Sequence, residues 1–80
     1  MAEVEIKYFA LLKDESGKDS EKYTTDGLTY RDLFLELQNK YEFSVKDTEV
    51  RVAVNDAFDS LDSQIIDQAK IVFIPPVSGG

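Results

Sequence analysis

Tyr30, Leu33, Phe34, Leu37 and Tyr41 follow helical spacing, and segments that alternate with period two lie on both sides of them. This arrangement narrows the possible folds sharply. A single amphipathic helix has one apolar stripe, which must be buried against one apolar sheet face. Thr29 is a natural N-cap, and Asp32 three residues on completes a capping box with a shortened acid. Asp32 also sits at the positive end of the helix dipole and Lys40 at the negative end. The spacing predicts a helix over 30–41.

The flanking segments supply the sheet. Residues 3–12 open with Val4, Ile6, Tyr8 and Ala10 on one face and Glu3, Glu5, Lys7, Phe9 and Leu11 on the other, and are read as a strand. Residues 13–19 are read as a turn centred on Ser16-Gly17, and 21–25 as a polar strand returning as a hairpin. Residues 43–49 are expected to be a loop. Val50, Val52 and Val54 alternate with Arg51, Ala53 and Asn55, and Asn55-Asp56 is a tight-turn signal leading to a short strand at Ala57-Phe58. Residues 60–69 carry turn and short-helix signals. The last strand is 70–74, with Ile71 and Phe73 on one face and Val72 and Ile74 on the other. The first and last strands are the most apolar and are expected to be central neighbours. The predicted class is α+β, a β-grasp: a mixed sheet of 4–5 strands packed on one main helix. It forms one domain over 1–76, followed by a flexible Gly-Gly tail over 77–80.

Composition limits the chemistry. The 80 residues include no cysteine and no histidine, so thiolate and imidazole chemistry are absent. Carboxylates fall in polar loops without the ligand spacing of a calcium site, and no glycine-rich loop precedes a helix. No metal or cofactor site is expected. A net charge of −7 disfavours nucleic acid and suggests a basic partner surface. No apolar run reaches membrane-spanning length and no signal peptide is evident, so the expected setting is the cytoplasm, with no membrane partner.

The remaining reactive group is the α-carboxylate of Gly80, ionised at pH 7 and inert until activated as a mixed anhydride. Pro75 and Pro76 fix their own φ, end the sheet and project the following residues outward. Val77, Ser78, Gly79 and Gly80 then reach at most about 13–14 Å. Gly79 and Gly80 lack Cβ, so a narrow channel can close around them. Phe9, Val72 and Ile74, extended by Phe58, are expected to form an apolar docking patch beside the tail.

The segments IPPVSGG (74–80), VAVND (52–56) and IKYFALLKD (6–14) resemble the small subunits of molybdopterin synthase over nearly the whole chain. That resemblance implies a ubiquitin-like β-grasp carrier, not catalytic alone. Its terminal glycine, here Gly80, is adenylated by a ubiquitin-activating-type adenylyltransferase that uses ATP and Mg²⁺. The glycine is then thiocarboxylated, inserted into the synthase large subunit, and donates sulfur to the cyclic pterin precursor within a heterotetramer. It implies that Gly79 gives access and that Phe9, Phe58 and Ile74 belong to the docking surface. Other readings are a carrier for thiamine or tRNA thiolation, a protein modifier joined to lysines, and a plain interaction module.

Overall fold

A computed structural model of the chain describes residues 1–76. Its elements in order are β1 (Ala2–Tyr8), α1 (Ala10–Ser16), β2 (Ser20–Thr25), α2 (Tyr30–Tyr41), β3 (Arg51–Val54), β4 (Ala57–Asp59) and β5 (Lys70–Ile74). The five strands form one sheet in the order β2-β1-β5-β3-β4. Strands β1 and β5 pair in parallel, while β1–β2, β5–β3 and β3–β4 pair antiparallel. The two most apolar strands are therefore interior neighbours, as their patterning predicts.

One face of the sheet buries Val4, Ile6, Tyr8, Val52, Val54, Ile71 and Phe73 against Tyr30, Leu33, Phe34 and Leu37 of α2. Each of these residues sits at the parity the sequence assigns to the core. Helix α2 has the predicted ends. Thr29 Oγ1 accepts from the Asp32 N–H at 3.2 Å, and the Asp32 carboxylate accepts from the Thr29 N–H at 3.2 Å, which closes the capping box. The strands β3 and β5 and the Asn55-Asp56 turn, with both φ values positive, also match the pattern. This is the β-grasp fold.

Two segments differ from the sequence reading, and the expected loop at 43–49 proves to contribute to the core. The first strand stops at Tyr8, and the chain turns through Ala10, at φ 49°, into α1. Residues 10–16 are thus helical where 3–12 was expected to be strand and 13–19 a turn. The helix buries Leu12 and leaves Ala10 outside the core. Gly17 ends it at φ 73°, a left-handed conformation open to glycine, with its N–H on the Lys13 carbonyl. Residues 43–49 have no regular structure, yet Phe43 and Val45 are buried. Phe43 packs among Tyr8, Phe34 and Tyr41 at ring distances of 5.6–6.0 Å. Residues 60–69 contain turns and a Thr29–Gln64 bridge, not a short helix.

Two polar clusters tie the layers together. Glu21 Oε2 accepts from Tyr8 Oη and from Tyr41 Oη, each at 2.6 Å, which links β1, β2 and the end of α2. Burial raises the Glu21 carboxyl, but hydrogen bonds from Tyr41, Tyr8 and Lys18 outweigh it, and the net shift is downward. Arg31 spans Asp62 at 2.9 Å and Asp47 at 2.7 Å, and so fixes two loops to the start of α2. Asp62 is held low by that guanidinium, Asp32 by the N–H groups of Leu28 and Thr29, and Asp19 by Lys13. These carboxyls titrate lower in the folded chain than in the unfolded one. The stability they add is therefore complete above about pH 4–4.5 and drains away as the pH falls through the folded values. Thermal unfolding followed from pH 7 to pH 2 should show Tm steady above about pH 5 and falling below about pH 4. A Tm that rises on acidification would contradict this.

Gly27 makes a close approach that its sequence position does not reveal. A Cβ there would lie 2.9 Å from Asp32 Cβ and 3.2 Å from Thr25 Oγ1. Thr25 Oγ1 also accepts the Gly27 N–H at 2.9 Å and donates to Glu36 at 2.7 Å. Gly27→Ala is expected to cost about 1–2 kcal/mol by overpacking this corner. That should lower Tm by roughly 4–8 °C for each kcal/mol, as measured by calorimetry.

Candidate docking site beside the C-terminal segment

With α2 covering one sheet face, the opposite face is left open. The strand residues that point there include Lys7 on β1, Val72 and Ile74 on β5, Arg51 and Ala53 on β3, and Phe58 on β4. Register turns them into rows. Phe58 stands opposite Ala53, Ala53 opposite Val72, and Val72 opposite Lys7. One step further along, Arg51 stands opposite Ile74.

Beyond the end of β1 the apolar surface deepens. Phe9, Ala10, Leu11, Asp14, Ile74, Pro75 and Pro76 line an open groove of about 760 Å³. Phe9 and Leu11 are each 44% exposed, a large apolar exposure for a small domain. The groove exists because β1 stops at Tyr8. Its next residue, Phe9, is the extended N-cap of α1, and the helix then carries Ala10, Leu11 and Asp14 around to face Pro75 and Pro76. Phe9 is thus not on a strand face as its alternation suggests, because the period-two pattern outlasts the strand. Its ring is also covered by the Lys7 ammonium at 5.2 Å.

The predicted patch residues divide into three neighbouring places. Phe9 and Ile74 share the groove. Val72 lies in the next row and lines an adjoining cleft with Glu5, Lys7 and Lys70. Phe58 lies two strands away, 71% exposed, in a shallow depression that includes Arg51 and Leu61. Val77, Ser78, Gly79 and Gly80 lie outside the described residues, which stop at the rim of the groove. Sequence reading missed Ala10, Pro75 and Pro76 as lining residues and placed Leu11 on a strand. The signal available for α1 was Gly17, a stop glycine after Lys13, with Leu12 one turn inside it.

Among the described residues no cluster of three metal-ligating side chains occurs, and no helix is long and apolar enough to cross a membrane. Among the described residues that line the groove, Asp14 is the one with an ionisable side chain. The arrangement can bind an apolar surface.

The profile of the ThiS family matches residues 6–80. No curated protein matches the chain. Among solved structures, the chain is similar to a protein designated molybdopterin converting factor subunit 1 from Pyrococcus furiosus. The two share 30% identity over 96% of this chain and 100% of that one, with a TM-score of 0.75. It is similar to small archaeal modifier protein 1 from Methanosarcina acetivorans, at 25% identity over 100% and 98% of the two chains and a TM-score of 0.76. It is also similar to a chain in the complex of subunits 1 and 2 of molybdopterin-converting factor from Helicobacter pylori, at 25% identity over 98% and 99% and a TM-score of 0.65. The family match starts within β1, takes in every later strand and both helices, and continues past the groove to residue 80: the chain belongs to the ThiS family, the ubiquitin-like sulfur carriers.

Proposed function

We propose that this carrier is the small subunit of a molybdopterin synthase and that the Gly80 carboxylate is the group it delivers. The observation that carries the reading is the apolar groove formed by Phe9, Leu11 and Ile74 against Pro75 and Pro76. It gives a partner a surface to grip immediately before the terminal residues. The identity shared with the Pyrococcus furiosus protein along its whole length supports the same reading.

The chemistry runs in three balanced steps. A ubiquitin-activating-type adenylyltransferase, holding ATP and Mg²⁺, lets a Gly80 carboxylate oxygen attack the α-phosphorus and expel pyrophosphate. Hydrosulfide from a sulfide donor then adds to the acyl-adenylate carbonyl and expels AMP, and loss of the S–H proton leaves the thiocarboxylate. In the large subunit the thiocarboxylate sulfur attacks a carbon of the pterin precursor and displaces an oxygen substituent, forming a thioester, and water then hydrolyses the acyl C–S bond, which leaves sulfur on the pterin and restores the Gly80 carboxylate. The chain supplies no acid or base to these steps. Its contribution is docking and positioning. We place these events in the cytoplasm, with two small and two large subunits in the complex.

The test is reconstitution. Thiocarboxylated chain mixed with the large subunit and the pterin precursor should form the dithiolene product, at one sulfur per chain. Failure to form product with a competent large subunit would overturn the assignment. A second reading, protein modification, is favoured by the likeness to small archaeal modifier protein 1. Chain recovered from cells in isopeptide linkage to lysines of other proteins would select it. Loss of thiamine or of tRNA thiolation on deletion, with molybdoenzymes intact, would move the carrier to those pathways.

A further inference from the structure

Among the described residues, the non-glycine positions with a positive φ are Ala10, Glu42, Asn55, Asp56 and Gln68. Three of these have a local reason. Glu42 caps the end of α2, where the left-handed conformation commonly closes a helix. Asn55 and Asp56 are residue types that tolerate it in a tight turn. Ala10 and Gln68 remain. Gln68 lies in the turn before β5 and away from the groove. Ala10 starts α1 directly after the extended N-cap Phe9, with φ 49°. In that conformation a Cβ crowds the following carbonyl oxygen, and glycine is the residue that avoids the crowding.

The body of the domain has no use for the Ala10 methyl. Ala10 is exposed and lies outside the core. Helix α1 is held at other points. Leu12 is buried, the Glu15 carboxylate accepts from the Ser44 N–H at 3.1 Å, and the Gly17 N–H closes on the Lys13 carbonyl at 2.9 Å. The first turn is closed across Ala10 by the Phe9 carbonyl, which accepts from the Leu12 N–H at 3.0 Å. What Ala10 does line is the groove, together with Phe9, Leu11 and Ile74.

We propose that Ala10 is a positioning residue of this groove. Its methyl forms part of the wall, and its left-handed backbone fixes the placement of Phe9 before it and Leu11 after it. The proposal rests on the reading of the groove as the surface that the synthase large subunit grips, and adds the residue that shapes it. Glycine would relieve the strain, remove the methyl and free the joint to take many angles, so the groove would lose its preformed shape. Backbone strain of this kind gathers at ligand-clamping sites, where it lowers stability and fixes geometry. The same exchange at Gln68 would relieve strain without touching the groove.

The test compares Ala10→Gly, Ala10→Ser and Gln68→Gly with wild type. Each thiocarboxylated chain is the varied substrate for the large subunit and the pterin precursor, and each chain is melted in parallel. Ala10→Gly is expected to raise Tm by about 2–6 °C. It should also raise KM about three- to fivefold, the effect of one lost methyl contact, with kcat unchanged. Ala10→Ser keeps the Cβ and should match wild type in both readouts. Gln68→Gly should raise Tm and leave KM alone. A lowered Tm for Ala10→Gly would show that Ala10 is not strained and overturns the proposal. A wild-type KM for Ala10→Gly overturns it as well and leaves the carrier reading standing. Equal rises in KM for Ala10→Gly and Gln68→Gly would trace the effect to general loosening of the chain, and also overturn it. No product from wild type with a competent large subunit overturns both the proposal and the reading beneath it.

Discussion

A variant with one extra residue after Gly80 is expected to lose sulfur-carrier activity entirely while melting at the wild-type temperature. The loss is complete because no side chain can substitute. The chain has no histidine or cysteine, and the groove offers a single carboxylate, Asp14, whose position on α1 ties it to the body of the domain. Moving the terminal carboxylate by one residue displaces it by about 3.3–3.6 Å. Misplacement of a reacting group by about 1 Å can already cost 10²-fold. Gly79→Val is expected to act at the same step for a steric reason: on the proposed insertion of the tail into a narrow channel, a Cβ and two methyls would clash where glycine has none. ATP–pyrophosphate exchange with the adenylating enzyme, set beside a thermal melt, checks both variants. Full exchange by the extended chain, with no proteolytic trimming, would exclude Gly80 as the acceptor.

The second large effect lies in the core. Phe73→Ala is expected to remove about 3–5 kcal/mol of stability, the largest loss of any single substitution considered for this chain. Phe73 is fully buried in β5, between β1 and β3, and meets the Phe34 ring edge-on at 5.3 Å. Removing such a ring costs about 3–5 kcal/mol. A domain of this length has roughly 4–12 kcal/mol of total stability, and much of its surface remains exposed to water for want of volume. Urea unfolding followed by circular dichroism should show a midpoint lowered by at least about 1 M. A loss below about 1 kcal/mol would mean that the Phe34–Phe73 contact is not central to the fold.

How much the sequence reveals depends on how many independent signals agree at each element. Helix α2 is legible to the residue because apolar spacing, the Thr29–Asp32 box and Lys40 all mark the same ends. Strands β3 and β5 are legible because their valines and isoleucines alternate without interruption and a turn signal precedes or follows them. Helix α1 is not, because Phe9, Ala10, Leu11 and Leu12 continue an apolar run that fits a strand as well as a helix. What decides between them is the tertiary demand to bury Leu12 in the core. Phe43 and Val45 are missed for a related reason. They close the core from a segment without periodicity, just after the left-handed Glu42 turns the chain inward. Phe9 and Ile74 were legible as neighbours at the surface, but the shape of the groove they line was not, because α1 determines it. Lys7 and Arg51 were visible as outward residues, yet only the strand register shows which apolar residues they flank.

The most direct measurement is the mass of the C-terminal peptide after the chain has been incubated with the adenylating enzyme, ATP, Mg²⁺ and a sulfide donor. The expected result is a gain equal to the exchange of one oxygen for one sulfur, confined to the peptide that ends in Gly80 and absent when ATP is omitted. An unchanged terminal peptide, while the same enzyme charges another carrier under the same conditions, would contradict the assignment of Gly80 as the site that carries sulfur.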